Sequence, residues 1–409
     1  MLDFAAFKWY NGGMDKINTK IAIIGGGASG LAAAALLSRV GISIVLLEQN
    51  PRVGKKLIAT GNGRCNLGNC VIEPDKYHGN IELATKIFTG WKGSRVFFRQ
   101  FGMLCRDGDE EGRLYPYSNT ANTVLDVLRA ACEGKVEVLN DTVCTAITPR
   151  EEGGFIVNAQ QEFRCGEGIA TSGDPVIVYA DNVIWACGGL QKKASGRPLA
   201  PGFAESGVLK KLGHTLTPPF PSLCPIITDK NLTRPLQNLR VRARCTAMHQ
   251  DQVLKTEEGE VQFGDGQLSG ICIMNLSRLV RSYGTKLVIS LDIAPDYELE
   301  QLKDLPMIGL FHSRIASIME KQPLETIKDW RFPVKGVADL KTAQVLSGGV
   351  VGTELNDDLS SKLHPGLYIV GESVDVDGDC GGYNLEWAWA SATAAVRSVA
   401  GKVAGGANG

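Results

Sequence analysis

The first hydrophobic run, Ile21-Ala22-Ile23-Ile24, is short and β-rich and stops at Gly25-Gly26-Gly27-Ala28-Ser29-Gly30. Leu31-Ala32-Ala33-Ala34-Ala35-Leu36-Leu37 continues with helical character, and Ile42-Ser43-Ile44-Val45-Leu46-Leu47 reads as a second strand ending in Glu48. Strand, helix, strand predicts a βαβ unit. Further on, Val136-Glu137-Val138 leads to Asp141-Thr142-Val143-Cys144, and Val176 to Trp185 reads as a strand pair closing on the turn Cys187-Gly188-Gly189. Alternating runs predict strands at Leu239–Arg244 and Glu260–Phe263, with another at Lys286–Leu291. Glu298 to Trp330 reads as helical, bounded by Pro295 and Pro333 and broken near Pro306 and Pro323. Near the far end, Gly366-Leu367-Tyr368-Ile369-Val370-Gly371-Glu372 is a second strand-to-glycine passage. Gly381-Gly382-Tyr383-Asn384 then opens a helix through Leu385, Trp387, Ala388 and Ala392, and the Gly/Ala-rich tail after Lys402 is expected to be disordered.

At 409 residues the chain has room for two or three domains. A net charge of -1 offers no basic field, so neither nucleic acid nor an anionic membrane is expected as a partner. No apolar run reaches the roughly 20 residues of a transmembrane helix, and the first residues lack the pattern of a secretory signal. Met14, just before the first strand, is an alternative start. Eleven scattered cysteines suit reduced thiols in a cytoplasm, and their spacing, with five separated histidines, gives no metal site.

Gly25-x-Gly27-x-x-Gly30 has the dinucleotide-binding spacing: one glycine for the tight turn, one for close approach of a pyrophosphate, one for helix packing. Ala28 and Ser29 lie at the helix start, whose N–H groups favour phosphate. Glu48, followed by Gln49, falls 18 residues beyond Gly30, where a ribose-binding carboxylate belongs, and its charge argues against a 2′-phosphate. Gly54-Lys55-Lys56 and Thr60-Gly61-Asn62-Gly63-Arg64-Cys65-Asn66 place glycines, basic side chains and amides in a loop suited to phosphates and ribitol. The two glycine-rich ends, more than three hundred residues apart, together predict one long cofactor, FAD.

These motifs make the chain resemble a family of bacterial FAD flavoproteins that includes 3-dehydro-bile-acid Δ4,6-reductase and aminoacetone oxidase. The resemblance runs through Gly25–Asn66, Cys187-Gly188-Gly189, Ser347-Gly348-Gly349-Val350 and Pro365–Ala390, which carries Asp375-Val376-Asp377-Gly378 and Gly381-Gly382-Tyr383-Asn384. It implies that Val143 grips adenine through its main chain, and that Cys187, Gly188 and Gly189 pass beside the FAD. Gly371, Glu372, Asp377, Gly378, Gly381, Gly382, Tyr383 and Asn384 become cofactor residues. Glu372 is placed near ribitol or pyrophosphate, with a helix N-cap as its alternative. The N–H groups opening the last helix would face the N1–C2=O edge of the flavin. Trp387 and Trp389 read as packing residues, and Tyr383 as a candidate catalytic proton donor whose alternative is packing. Where the family shows a Thr-His pair before Leu-Ser-Gly, this chain has Gly264-Asp265-Gly266-Gln267, so the substrate does not transfer with the resemblance.

The expected fold is α/β: a discontinuous Rossmann-like FAD-binding domain over residues 15–189 and 340–409, with an inserted β-rich domain at 190–293 and a small helical lobe at 294–339, capping the flavin. The expected activity is an FAD-dependent oxidoreductase using NAD(P)H as a transient co-substrate to reduce a conjugated enone in a small molecule. Alternatives are an amine oxidase, a thiol–disulfide oxidoreductase using Cys65-x4-Cys70, and a non-catalytic flavin-binding protein. The chain has no second complete GxGxxG, so no dedicated nicotinamide domain is expected.

Overall fold

A computed structural model describes residues 15–106, 112–165, 169–189, 207–340 and 342–406. The segment containing Met14 and the expected boundary at 190 lie outside the described residues. The chain forms two compact units. The first comprises the chain up to Thr217, Gly348–Val376 and Gly381–Gly409; the second comprises Pro218–Ser347 and Asp377–Cys380.

In the first unit, β1 (Asp15–Ile24), α1 (Ala28–Leu37) and β2 (Ile44–Leu47) form the predicted βαβ unit. They are followed by α2 (Ala121–Cys132), β3 (Glu137–Leu139), β4 (Thr142–Pro149), β5 (Phe155–Cys165) and β6 (Ile169–Trp185). In the second unit lie β7 (Ile226–Ile227), β8 (Arg240–His249), β9 (Gln252–Gly264), β10 (Gln267–Ser269) and α3 (Ile271–Leu276). There follow β11 (Leu287–Asp292), three short helices α4 (Leu299–Leu302), α5 (Met307–Leu310) and α6 (Ser313–Met319), then β12 (Trp330–Pro333) and β13 (Gly336–Val337). The chain returns to the first unit for β14 (Leu367–Ile369) and a long α7 (Tyr383–Gly406).

The parallel part of the first sheet runs β3-β2-β1-β6-β14, the doubly wound order in which a ligand binds outside the carboxyl ends of the strands. The segment expected to be a strand pair is the single strand β6. Asp181-Asn182, its most turn-like dipeptide, lies mid-strand because Asn182 stays in register opposite Ile21 of β1. Ile169–Ala180 of β6 pairs antiparallel with β5, which in turn pairs with β4. Ile21, Ala22 and Ile23 are fully buried, as are Ala32 to Ala35 on α1. Alanines on α1 meet α7, whose Ala392 and Ala395 are also buried, so small side chains on both helices permit close packing on the sheet. The tail after Lys402 is helical as far as Gly406, against the expectation of disorder, because α7 continues through it.

The second unit is an antiparallel sheet in the order β12-β11-β8-β9-β10-β7-β13. Strands β8, β9 and β11 form at the three predicted runs, whereas the short β7, β10, β12 and β13 were not predicted. Trp330, read as the end of a helical stretch, opens β12. The distinctive Gly264–Gln267 segment is the tight turn of the β9–β10 hairpin, with Gly264 paired to Gln267. The helices at 299–319 share the core of the second unit. Leu302, Ile315 and Met319 join Ala243, Phe263 and Ile289 in one buried cluster, since each helix is too short to bury its apolar side alone. The chain crosses between the units at Thr217/Pro218 and Ser347/Gly348. Among the described residues no helix is long and apolar enough to cross a membrane.

Candidate functional site

The three glycines of the first turn are fixed for three different reasons. Gly25 has φ +104°, and a β-carbon there would sit 2.6 Å from Ala186 O at the end of β6. A β-carbon on Gly30 would run into Gly25 O, so only glycine lets α1 start so close to β1. A β-carbon on Gly27 would meet nothing within 4 Å. That open space faces the start of α1, where the first N–H groups lack intrahelical acceptors and carry partial positive charge. Ala28 and Ser29 occupy that first turn.

Glu48 ends β2 and is 4 % exposed. Its Oε2 accepts the Gly26 N–H at 2.8 Å and its Oε1 the Asn50 N–H at 2.8 Å. Burial pushes its carboxyl above the ordinary carboxylate range, although the Asn50 and Gly26 hydrogen bonds oppose this. Oε1 also accepts from Asn50 Nδ2, so Oε2 is the oxygen that keeps acceptor capacity for a sugar hydroxyl. Gln49, half-buried, follows. The Glu48 N–H donates to Leu139 O and Thr142 N–H to Glu48 O, each at 2.9 Å, which brings Val143 on β4 close to the end of β2.

The loop after β2 is held in unusual backbone. Gly61 and Asn62 have φ of 55° and 53°, and Cys65 has φ 57°. The Cys65 N–H donates to Thr60 O at 3.0 Å and Arg64 N–H to Gly61 O at 3.1 Å, closing the Thr60–Cys65 turn around Gly63. Lys55 Nζ donates to Asn50 Oδ1 at 3.3 Å, while the Arg64 guanidinium lies 4.9 Å from the Tyr115 ring centre. Asn66 Oδ1 is buried without a hydrogen-bond partner, a position that calls for a donor from a bound group.

The C-terminal glycine segment returns to this place. Val370 N–H donates to Trp185 O at 3.0 Å, and a β-carbon on Gly371 would strike Ser29 Oγ. The turn after β14 therefore rests on the first turn of α1. Glu372 Oε2 accepts Gly189 N–H at 2.8 Å and pairs with Lys56 Nζ at 2.9 Å, joining three separate stretches of chain. It does so from the short helical turn Gly371–Ser373 and is not its N-cap, a place Val370 takes. Cys187 Sγ lies 3.5 Å from Ile24 O, and Gly188 leads into the Gly189 contact. Gly382 has φ +99°, and a β-carbon there would collide with Gly68 O and lie 2.8 Å from Asn66 Oδ1. Asn69 Nδ2 donates to Gly381 O at 3.0 Å. Tyr383 and Asn384 begin α7 beside them.

Tyr383 is 6 % exposed, and its ring packs edge-on against Tyr77 with centres 5.7 Å apart. Trp387 and Trp389 are buried packing residues, their indole N–H groups donating to Gly371 O and Leu67 O. Asp377 and Gly378 belong to the second unit, and the Asp377 carboxylate is bound by Arg278, with Nη2 2.7 Å from each oxygen. Cys65 is fully buried and its thiol is pushed up to about 12 by that burial, whereas Cys70 is exposed. A buried neutral thiol does not suit the thiolate chemistry of a disulfide exchanger.

Sequence reasoning missed Glu386. This fully buried carboxylate in the first turn of α7 accepts hydrogen bonds from Ser94 N–H at 2.8 Å, Ser94 Oγ at 2.6 Å and Asn69 N–H at 3.2 Å. Burial raises its carboxyl, against those donors and Trp91. An acid at the first turn of a helix was the only available signal.

The geometry answers to a dinucleotide: an open approach at Gly27, a helix N-terminus, a carboxylate at the end of β2, an orphaned Asn66 oxygen and a second glycine turn folded onto the first. Known proteins agree. A family profile for the HI0933-like protein Rossmann domain matches residues 19–398. A 3-dehydro-bile acid delta(4,6)-reductase of Clostridium scindens is 30% identical, across 93% of this chain and 99% of that protein. A ribosomal RNA dihydrouridine synthase of Escherichia coli is 25% identical, across 92% and 97%. The solved structure of Mycobacterium smegmatis Sdh1 in complex with UQ1 is similar at a TM-score of 0.50 and 15% identity, covering 96% of this chain and 70% of that one, a likeness of fold alone. The chain belongs to the HI0933-like Rossmann family and is an FAD-dependent oxidoreductase.

Proposed function

We propose that the enzyme reduces a carbon–carbon double bond conjugated to a carbonyl in a small organic molecule, with NADH or NADPH as the hydride source. The observation that carries this reading is that two relatives, aligned along nearly their whole lengths, are named for reductions of that kind. One is a delta(4,6)-reductase of a 3-dehydro bile acid. The other makes dihydrouridine, a pyrimidine saturated at the bond next to a carbonyl. The substrate would gain hydride at the carbon β to its carbonyl and a proton at the α carbon, while the nicotinamide loses the hydride.

Bound FAD supplies the hydride chemistry. The chain's own residues hold and orient it. The Gly25–Gly30 turn and the start of α1 receive the pyrophosphate, Glu48 accepts from ribose, and the Val143 main chain takes adenine. Lys55 and the Thr60–Asn66 loop serve phosphate and ribitol, with the Lys56–Glu372–Gly189 node holding the two glycine turns together. The opening of α7 at Gly381-Gly382 favours negative charge beside it by about 0.3–1 kcal/mol. The edge-on packing of Tyr383 on Tyr77 favours a positioning role over proton donation. Tyr383→Phe therefore keeps the rate of substrate reduction within about twofold; a fall of about a hundredfold, within the usual contribution of a general acid, would return Tyr383 to catalysis.

A small substrate is favoured over RNA by charge. The densest arginine run, on β8, is neutralised: Arg240 pairs with Glu260 at 2.9 Å, and Arg242 with Glu258 at 2.7 Å and Asp296 at 3.0 Å. Mixing the protein with NADH or NADPH under nitrogen, then adding a 3-oxo-Δ4 steroid, a primary amine or uridine-containing ribosomal RNA, separates the readings. Bleaching of the flavin by nicotinamide and its return with the enone is expected. Bleaching by the amine, with peroxide formed in air, would identify an oxidase, and reoxidation by RNA alone an RNA enzyme.

A further inference from the structure

We propose that Arg278 and Lys255 are positioning residues for the glycine turn that opens α7, acting on the cofactor site through the chain rather than by touching the cofactor. The inference rests on the FAD site described above. Four residues of the C-terminal glycine segment, Asp377–Cys380, belong to the second unit, while their chain neighbours Val376 and Gly381 belong to the first. Asp377, Asp379 and Cys380 are each anchored within that unit. Asp377, 2 % exposed, holds both carboxylate oxygens 2.7 Å from Arg278 Nη2. Asp379, equally buried, pairs with Lys255 Nζ at 2.8 Å. The Cys380 N–H donates to Asn275 Oδ1 at 2.9 Å, and Asn275 Nδ2 donates to Glu257, which also pairs with Lys255. The backbone is therefore fixed up to the residue before Gly381.

An ion pair on a buried carboxylate, here with its cation partly exposed, is a weak contributor to net stability, because removing charge from water offsets the attraction. Two such pairs on a four-residue segment call for another role, and conformational definition of the adjoining turn supplies one. Gly381 and Gly382 need it. Both have φ in the left-handed region, at +135° and +99°, where glycine moves freely unless held.

The test compares Arg278→Met, Arg278→Lys, Lys255→Met and the double variant Arg278→Met/Asp377→Asn. Thermal midpoint of the apoprotein, Kd for added FAD and flavin midpoint potential are read for each. In Arg278→Met, FAD affinity should fall about tenfold or more and the potential should shift. The double variant leaves no unpaired buried charge, so its thermal midpoint should recover while FAD affinity and potential stay displaced. Arg278→Lys should restore part of both, and Lys255→Met should repeat the loss of affinity. Recovery of affinity together with the thermal midpoint in the double variant would overturn the proposal, as would wild-type affinity in Arg278→Met and Lys255→Met. Should Arg278→Met not fold, the double and lysine variants decide by the same criteria. Failure of the wild-type protein to bind FAD would instead overturn the cofactor site itself.

Discussion

At the scale of the residue, the dinucleotide turn separates binding from folding. Gly27 has open space where its side chain would be, so Gly27→Val should leave the thermal midpoint of the apoprotein nearly unchanged while removing FAD binding. Gly30→Ala forces a methyl group against Gly25 O and should destabilise the fold itself, by more than the roughly 1–3 kcal/mol usual for overpacking. Equal flavin occupancy in wild type and Gly27→Val would refute the placement. Glu48 answers for two tasks. Glu48→Ala leaves the Gly26 and Asn50 N–H groups without their acceptor, so it should cost about 1–3 kcal/mol of stability as well as FAD affinity. A variant that loses affinity with no change in thermal midpoint would contradict that double role. The glycine spacing and Glu48 could be read from sequence because their requirements are local. The Asp377 ion pair was not legible, because its partner, Arg278, stands 99 residues earlier on an unrelated element.

At the scale of the element, a network outside the dinucleotide turn is expected to weaken the fold in acid. His214 follows a short helix, Val208–Lys211, and its Nδ1 lies 2.9 Å from Glu354 Oε2 while its Nε2 lies 3.0 Å from Ser361 Oγ. Ser361 Oγ also accepts the N–H groups of Leu363 and His364, so the arrangement is a satisfied structural network although its order resembles a catalytic triad. Burial holds His214 below its ordinary value of 6.5, opposed by Glu354 and reinforced by His364. The unfolded chain therefore binds a proton near 6.5 that the folded chain resists. Stability should be level above that pH and fall as pH drops below it. His214→Gln should flatten the thermal midpoint between pH 7.5 and about pH 5. A slope unchanged from wild type would assign the acid sensitivity elsewhere. Nothing local announced this network, since His214 and Ser361 lie 147 residues apart. The strands of both units were legible for the opposite reason: alternation and apolar runs are local, as in β8 and β11. The length of β6 was not, because its continuity depends on pairing with β1.

At the scale of the whole molecule, the return of the chain to its first unit was legible. Glycine turns at both ends foretold one site, and the structure folds Gly371 onto Ser29. The crossing points at 217/218 and 347/348 and the excursion of Asp377–Cys380 depend on long-range packing that carries no local pattern. The same holds for the helices at 299–319, which looked independent in sequence but share the core of the second sheet. The central claim is that the two chain ends make one site for a complete dinucleotide. The most direct test is titration of the apoprotein with FAD and, separately, with FMN, following flavin fluorescence. The account predicts one FAD per chain and an affinity for FMN lower by at least about a hundredfold, since FMN lacks the adenosine that Glu48 and Val143 would hold. Equal affinity for the two flavins, or none for either, would contradict it.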